Sequence, residues 1–240
     1  MAAQPPAQIV DAATFAAVFQ VSRETIERLE VYEALLRAWQ KRINLVASTS
    51  LNDIWHRHFA DSAQLARLIP PEVSTMVDLG SGAGFPGLVL ALILGDRSSR
   101  PTSMFSRTGQ RPQSPGMPYR IALIESDGRK AAFLREAARQ TGATVEILAT
   151  RIENPQTQAK VGCVDLVTAR ALAPLAKLLP MAAPYFAAGS AGLFLKGRGV
   201  QAEIDGARTK FAFGVELVAS VTATDGRIAV IRDLQIRKGG

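Results

Sequence analysis

The sequence predicts an α/β fold: a mainly parallel sheet with helices on both faces, preceded by a helical extension. Three observations point there. Apolar residues step by three or four through 23–42, and the helical pattern ends at Pro70-Pro71. From Thr75 onward, short β-rich runs alternate with helical stretches, the pattern of βαβ units. The stretch VDLGSGAGFPG (77–87) runs from a strand into a glycine-rich turn and then a helix start.

The elements follow in order. The first twenty residues carry weak signals, with room for one short helix. Ser22 is placed to cap a helix over 23–42, whose stripe is Ile26, Leu29, Tyr32, Leu36, Trp39 and Ile43. Ser50-Leu51-Asn52-Asp53 resembles a capping box that opens a second helix reaching about Leu68. Thr75–Leu79 reads as a strand, and Pro86 suits the first turn of a helix running to Leu94. Strands are expected at Arg120–Ile124, Val145–Leu148, Val164–Thr168 and Ala191–Lys196. Helices are expected at Asp127–Gln140, stopped by Gly142, and at Leu175–Phe186. The last two β-rich runs flank Asp225-Gly226, a hairpin signal. The expected division is an extension over 1–71 and a sheet core over 72–240.

With 240 residues, the chain can build one α/β domain and bury its core without staples. Its one cysteine, Cys163, permits no internal disulfide, suits a reducing compartment and reads as a small core residue. The first residues lack a basic n-region, and no uncharged apolar run is long enough to span a membrane, so a cytoplasmic protein is expected. The formal net charge of +7 favours polyanionic partners. Residues 97–119 hold Arg97, Arg100, Arg107 and Arg111 and no acid; without them the charge falls to +3. Rich in Pro, Ser and Gly, this segment reads as a basic flexible insertion.

The turn fits two patterns. Gly82-Ala83-Gly84-Phe85-Pro86-Gly87 matches the G-x-G-x-x-G phosphate cradle of a dinucleotide site. Asp78-Leu79-Gly80-Ser81-Gly82-Ala83-Gly84 matches D-x-G-x-G-x-G, suited to S-adenosylmethionine (SAM). Asp78 discriminates between them, because a carboxylate at the strand end suits a cationic sulfonium ligand better than a pyrophosphate. Glu125, which ends the next strand, is the candidate for ribose hydroxyls. It lies 45 positions after Gly80; leaving out the 23-residue insertion restores a spacing of 22, close to the ~20 expected of a compact unit.

Further stretches resemble the RsmG (GidB) family of 16S rRNA guanine-N7 methyltransferases: LLRAWQKRINLVAST, RHFADS (57–62), VDLGSGAGFPG, ESDGRKAAFLRE (125–136), ATRIE (149–153) and VTARALAPL (167–175). The resemblance spans most of 30–200; segment 97–119 departs from the family pattern. It implies a class I SAM-dependent methyltransferase with a Rossmann-like seven-stranded sheet. It implies methyl transfer to N7 of a guanine in the 530 loop, with 16S rRNA of the small subunit or its precursor as partner; a monomer is expected, though not from the resemblance. The SAM contacts it implies are Gly80, Phe85, Ile152, Glu153 and Arg170. Asp78, Gly82, Gly84 and Glu125 join them from the motif reading.

The remaining inventory is sparse. No Asp/Asn-Pro-Pro-Tyr follows the fourth strand, which argues against exocyclic-amine methylation. The two histidines, His56 and His58, do not make a metal site, and His58 is expected to pack between extension and core. No catalytic acid or base is assigned, since N7 carries no proton. For RNA contact the expected residues are Lys196 and Arg198, while Arg37, Lys41 and Arg42 read equally as RNA contacts or as ordinary surface. The alternatives are an NAD(P)-dependent oxidoreductase, a SAM-dependent methyltransferase with a non-RNA substrate, and a non-catalytic RNA-binding module.

Overall fold

The computed structural model of the protein describes residues 8–98 and 119–237. Most of the expected basic insertion, 99–118, lies outside the described residues.

Two helices open the chain. In α1 (Ala12–Phe19) Asp11 and Thr14 form a reciprocal cap. In α2 (Arg23–Gln40) the Ser22 hydroxyl accepts from the Thr25 amide at 3.1 Å, as the sequence suggested, and Leu29, Tyr32 and Leu36 are fully buried. The expected second helix is not a regular α-helix. A 3-10 turn (Ser48–Ser50) leads to a π-helical turn (Trp55–Ala60), then a short α3 (Asp61–Ala63) and a second 3-10 turn (Gln64–Arg67). Ser50 does not cap it: its hydroxyl donates to the Ala47 carbonyl and meets the His58 ring. Trp55, His58, Phe59, Ser62 and Ala63 are buried at the i, i+3, i+4, i+7, i+8 spacing of one helical stripe, and Ala60 is buried beside it.

The sheet begins with β1 (Thr75–Leu79), followed by α4 (Gly87–Ser98), β2 (Arg120–Glu125), α5 (Gly128–Thr141), β3 (Glu146–Ala149), α6 (Pro155–Val161) and β4 (Val164–Arg170). Then come α7 (Leu175–Ala182), β5 (Phe186–Lys196), α8 (Val200–Arg208), β6 (Phe211–Ala219) and β7 (Arg227–Ile236). The strand order is β3-β2-β1-β4-β5-β7-β6, parallel except for β7, which runs antiparallel between β5 and β6. Two helices lay below the resolution of the sequence reading. α6 is short, capped by Asn154 with Pro155 in its first turn, and α8 buries only Val200, Ile204 and Ala207. β5 also starts five residues earlier than expected, at Phe186.

Each sheet face has its own core. On one face α4 and α5 pack with the extension: Tyr32, Leu36, Trp55 and Phe59 share a cluster with Leu88, Leu123, Phe133 and Leu134. On the other face α7 and α8 cover Val77, Leu79, Ile124 and Val167. The extension is therefore part of the main core. Cys163 is not: it sits exposed in the turn before β4, at the rim opposite the strand C-termini, because the β4 apolar run starts one residue later.

Tyr32 joins the extension to the glycine turn, donating its hydroxyl to the buried Ala83 carbonyl. Tyr32→Phe keeps the ring packing and leaves that carbonyl without its donor, so unfolding free energy should drop by about 1–3 kcal/mol. Denaturant titration checks this, and an unchanged midpoint would deny the bond its role.

Candidate active site

The strand order reverses between β1 and β4, so the loops after these strands diverge and leave a crevice. A cavity of about 460 Å³ occupies it, within the ~300–1,000 Å³ usual for small-molecule sites. Four strand ends build its wall: Gly80–Ala83 after β1, Glu125 and Ser126 at the end of β2, Thr150–Glu153 after β3, and Arg170–Leu172 after β4. Of the residues expected from sequence, Gly80, Gly82, Phe85, Glu125, Ile152, Glu153 and Arg170 all line it.

The turn is laced to its neighbours. Ser81 donates its amide to the Ile124 carbonyl at 3.0 Å, and Gly84 donates to Ser81 at 2.7 Å. Glu125, 8% exposed, bridges two loops: one carboxylate oxygen accepts from the Gly82 amide at 2.8 Å and the other from the Asp127 amide at 2.7 Å. Each oxygen keeps a further lone pair for a ligand hydroxyl. Gly80 has φ +66°, and a Cβ there would lie 2.6 Å from Leu172 Cδ1. The glycine is thus needed for the turn's conformation and for its closeness to the β4 loop.

Two motif residues act from behind the wall. Asp78 is fully buried, accepting from the Thr168 hydroxyl at 2.8 Å and the Gly87 amide at 3.2 Å. Burial pushes its pKa up to about 6, against the pull of those hydrogen bonds. The expectation that Asp78 faces a ligand is corrected: its carboxylate ties β1 to β4 and to the start of α4. Gly84 likewise stands off the cleft, where a Cβ would meet the Tyr32 hydroxyl at 2.5 Å.

Phe85 lies between the two parts of the molecule. Its ring stacks with His58 (centroids 4.9 Å, 20°) and Tyr32 (5.5 Å, 23°), and the Arg170 guanidinium lies over it at 4.9 Å. At 4% exposure it reaches the cleft with its edge, and most of the ring serves this packing. Arg170 Nη2 donates to His58 Nδ1 at 2.8 Å, while Nη1 donates to the Arg57 carbonyl at 3.0 Å and approaches Asp61 at 3.4 Å. Because Nδ1 accepts, the ring proton sits on Nε2 and points at the Ser50 hydroxyl, 2.8 Å away. Burial and the Arg170 charge hold the His58 pKa down to about 3. His58 packs between extension and core, as its sequence context suggested.

The structure does not bring Lys196 or Arg198 to the cleft wall. The Lys196 ammonium donates to the Ala173 carbonyl at 2.6 Å and pairs with Glu203 at 2.8 Å, leaving its side chain 9% exposed. Arg198 is open to solvent but pairs with Asp225 at 2.9 Å. Sequence reasoning missed Ser126, Lys130 and Arg151, although they adjoin Glu125 and Ile152 within quoted motifs, and Leu45, which only the extension's fold delivers. Ala171 is also in the wall, at φ +51°. Among the described residues, no cluster of three or more His, Cys, Asp or Glu is placed to hold a metal ion, and no helix is long and apolar enough to cross a membrane.

These residues suit SAM. Backbone of a glycine turn forms the floor, Ile152 and Leu172 offer apolar contact, and the Glu125 and Glu153 carboxylates favour hydroxyls and positive charge.

A family model described as rRNA small subunit methyltransferase G (GidB) matches residues 25–102 and 116–231. The gap in that match lies inside the basic segment 97–119. The chain is 47% identical over 232 residues to the ribosomal RNA small subunit methyltransferase G of Rhodospirillum centenum, covering 97% of this chain and 95% of the relative. It is 45% identical over 227 residues to the protein of the same name from Parvibaculum lavamentivorans, covering 95% and 91%. Among solved structures, a TehB-like SAM-dependent methyltransferase from Corynebacterium glutamicum shares the fold, with TM-score 0.51, 12% identity, and coverage of 84% of this chain and 97% of that one.

Two outcomes follow from this geometry. Gly80→Val forces a β-branched residue into positive φ and against Leu172, so SAM affinity measured by calorimetry should fall at least about tenfold, with a lower melting temperature. Unchanged affinity would remove the turn from the binding site. The second concerns pH. With His58 near 3 when folded against 6.5 when free, the unfolded chain takes up the proton first, and this site's stabilisation is lost as pH falls from 6.5 toward 3. Asp78, near 6 when folded against 3.8, binds its proton first in the folded state and opposes that loss between 6 and 3.8. His58→Gln removes the first effect and keeps the second. The variant should start less stable at pH 7.5 and lose less than the parent by pH 4; parallel urea midpoints for the two proteins would contradict the assignment.

Proposed function

The chain belongs to the rRNA small subunit methyltransferase G family, and we propose that it transfers a methyl group from SAM to N7 of a guanine in the 530 loop of 16S rRNA. When bound, SAM supplies an activated methyl on a sulfonium, and the purine N7 lone pair forms the new N–C bond as the S–C bond breaks.

The observation that carries this reading is how the histidines are committed. The chain has two. His58 has one ring nitrogen on Arg170 and the other on Ser50. His56 accepts from the Ile9 amide at 3.2 Å and meets the Thr222 carbonyl at 2.9 Å. Neither imidazole is free to take a proton from a substrate. An attack at N7 asks for none, because that atom carries a lone pair and no hydrogen. Positioning is then the main requirement, and it can lower a barrier by ~7–11 kcal/mol. Gly80, Gly82, Glu125, Ile152 and Glu153 would hold the donor. Arg170, fixed by His58 and Asp61, keeps its cationic group at the β4 end of the wall. A carboxylate or carbonyl facing N7 would favour the positive charge that the methylated base acquires.

The test is incubation with SAM carrying a labelled methyl group and small subunits from a strain lacking this modification, followed by nucleoside chromatography. Label should co-elute with 7-methylguanosine. Label in any other nucleoside would refute the position, and transfer without RNA would refute the substrate class.

A further inference from the structure

We propose that a second, smaller recess beside the cleft is a phosphate-binding site that holds the substrate RNA backbone alongside the cofactor cleft; this inference rests on the RNA reading above. The recess, about 310 Å³, lies between the end of α2 and the start of α5, and is lined by Arg42, Ile43, Asn44, Asp127, Arg129 and Lys130. Three cations from two separate elements meet one acid.

Position is the first argument. Lys130 belongs to the wall of both the recess and the cleft, so an anion in one lies next to a ligand in the other. Leu45, three residues after Arg42, also lines the cleft. The loop joining these sites is held firmly. The Gln40 side chain accepts from the Leu45 amide at 2.9 Å and the Val46 amide at 3.1 Å, and donates to the Val46 carbonyl at 2.8 Å. On the other side, Glu125 fixes the Asp127 amide with one oxygen and the Gly82 amide with the other. The recess and the cofactor turn are thereby anchored to a single carboxylate.

Charge is the second. Asp127 is engaged in capping α5, accepting from the amides of Arg129 at 2.8 Å and Lys130 at 3.3 Å, so the helix terminus is already satisfied. Its ion pair with Arg129 is long, 3.5 Å, and exposed, and such pairs hold little energy. Among the described residues, neither Arg42 nor Lys130 has a carboxylate within ion-pair distance, whereas Lys196 and Arg198 each face one. Guanidinium groups suit phosphate oxygens through paired N–H donors, and the Asn44 amide adds another. Arg42 and Arg129 do not line the cleft, which assigns them to the RNA rather than to the carboxylate of the methyl donor.

The test pairs Arg42→Ala/Arg129→Ala with the parent protein, using unmethylated small-subunit rRNA across a salt series. The variant should bind at least about tenfold more weakly at 0.1 M salt. Its slope of log affinity against log salt should flatten by ~0.7 per lost phosphate, while Arg42→Lys/Arg129→Lys keeps most of the slope. SAM affinity by calorimetry and the melting temperature should not change. An unaltered affinity and slope would overturn the site while leaving methyl transfer by the parent intact. Weaker SAM binding with normal RNA binding would reassign the recess to the cofactor. A parent with no salt-dependent RNA binding would overturn the RNA reading itself.

Discussion

The Phe85 ring, held among Tyr32, His58 and Arg170, is the contact on which the rest of the site depends. It lies at the foot of the glycine turn, where the sheet meets the helical extension. The turn's backbone conformation, with positive φ at Gly80, Gly82 and Gly84, is one that an isolated chain would populate only in part. Tyr32 binds the turn through Ala83, and Glu125 binds it through Gly82, from opposite sides. Ligand-binding backbone is therefore fixed before any ligand arrives, and the ordering cost falls on folding rather than on binding.

That arrangement explains why the extension shares a hydrophobic cluster with α4 and α5. A surface helix pair would tolerate sliding by a fraction of a turn. Here a shift of α2 would move Tyr32 off the Ala83 carbonyl and Leu45 out of the cleft wall together. The turn at Trp55–Ala60 has the same logic: Trp55, His58 and Phe59, spaced i, i+3, i+4, share one face and are delivered together to one buried site.

Much of this was legible in the residues. The β1 turn and Glu125 at the end of β2 are set by local chemistry, because each needs a residue type that few other positions tolerate: glycine at positive φ and a carboxylate at a strand edge; the following helix starts at Gly87, just after the proline expected inside its first turn. What was not legible depends on contacts distant in sequence. Asp78 was read as facing a ligand, yet Thr168 and Gly87 draw its carboxylate inward. Lys196 and Arg198 looked like free basic loop residues until the fold brought Glu203 and Asp225 beside them. Arg42 read equally as an RNA contact or as ordinary surface, because nothing in α2 indicates that the start of α5 lies next to it. α6 and α8 escaped because they are short and show the sheet only a few apolar positions.

The charge state of the clamp narrows the chemistry that this site can perform. Arg170 needs an acceptor at His58 Nδ1; a protonated ring would present an N–H there, facing a guanidinium in a largely buried setting. Two like charges at that distance are strongly disfavoured, so the imidazole stays neutral through the physiological range. The same bond that positions Arg170 thus withdraws the imidazole from proton transfer, and Ser50 takes up the remaining ring nitrogen. A site assembled this way trades a base for a rigid cation at the β4 end. Such a trade suits a nucleophile that already has an exposed lone pair, and it would hinder a reaction that began by removing a proton from the substrate.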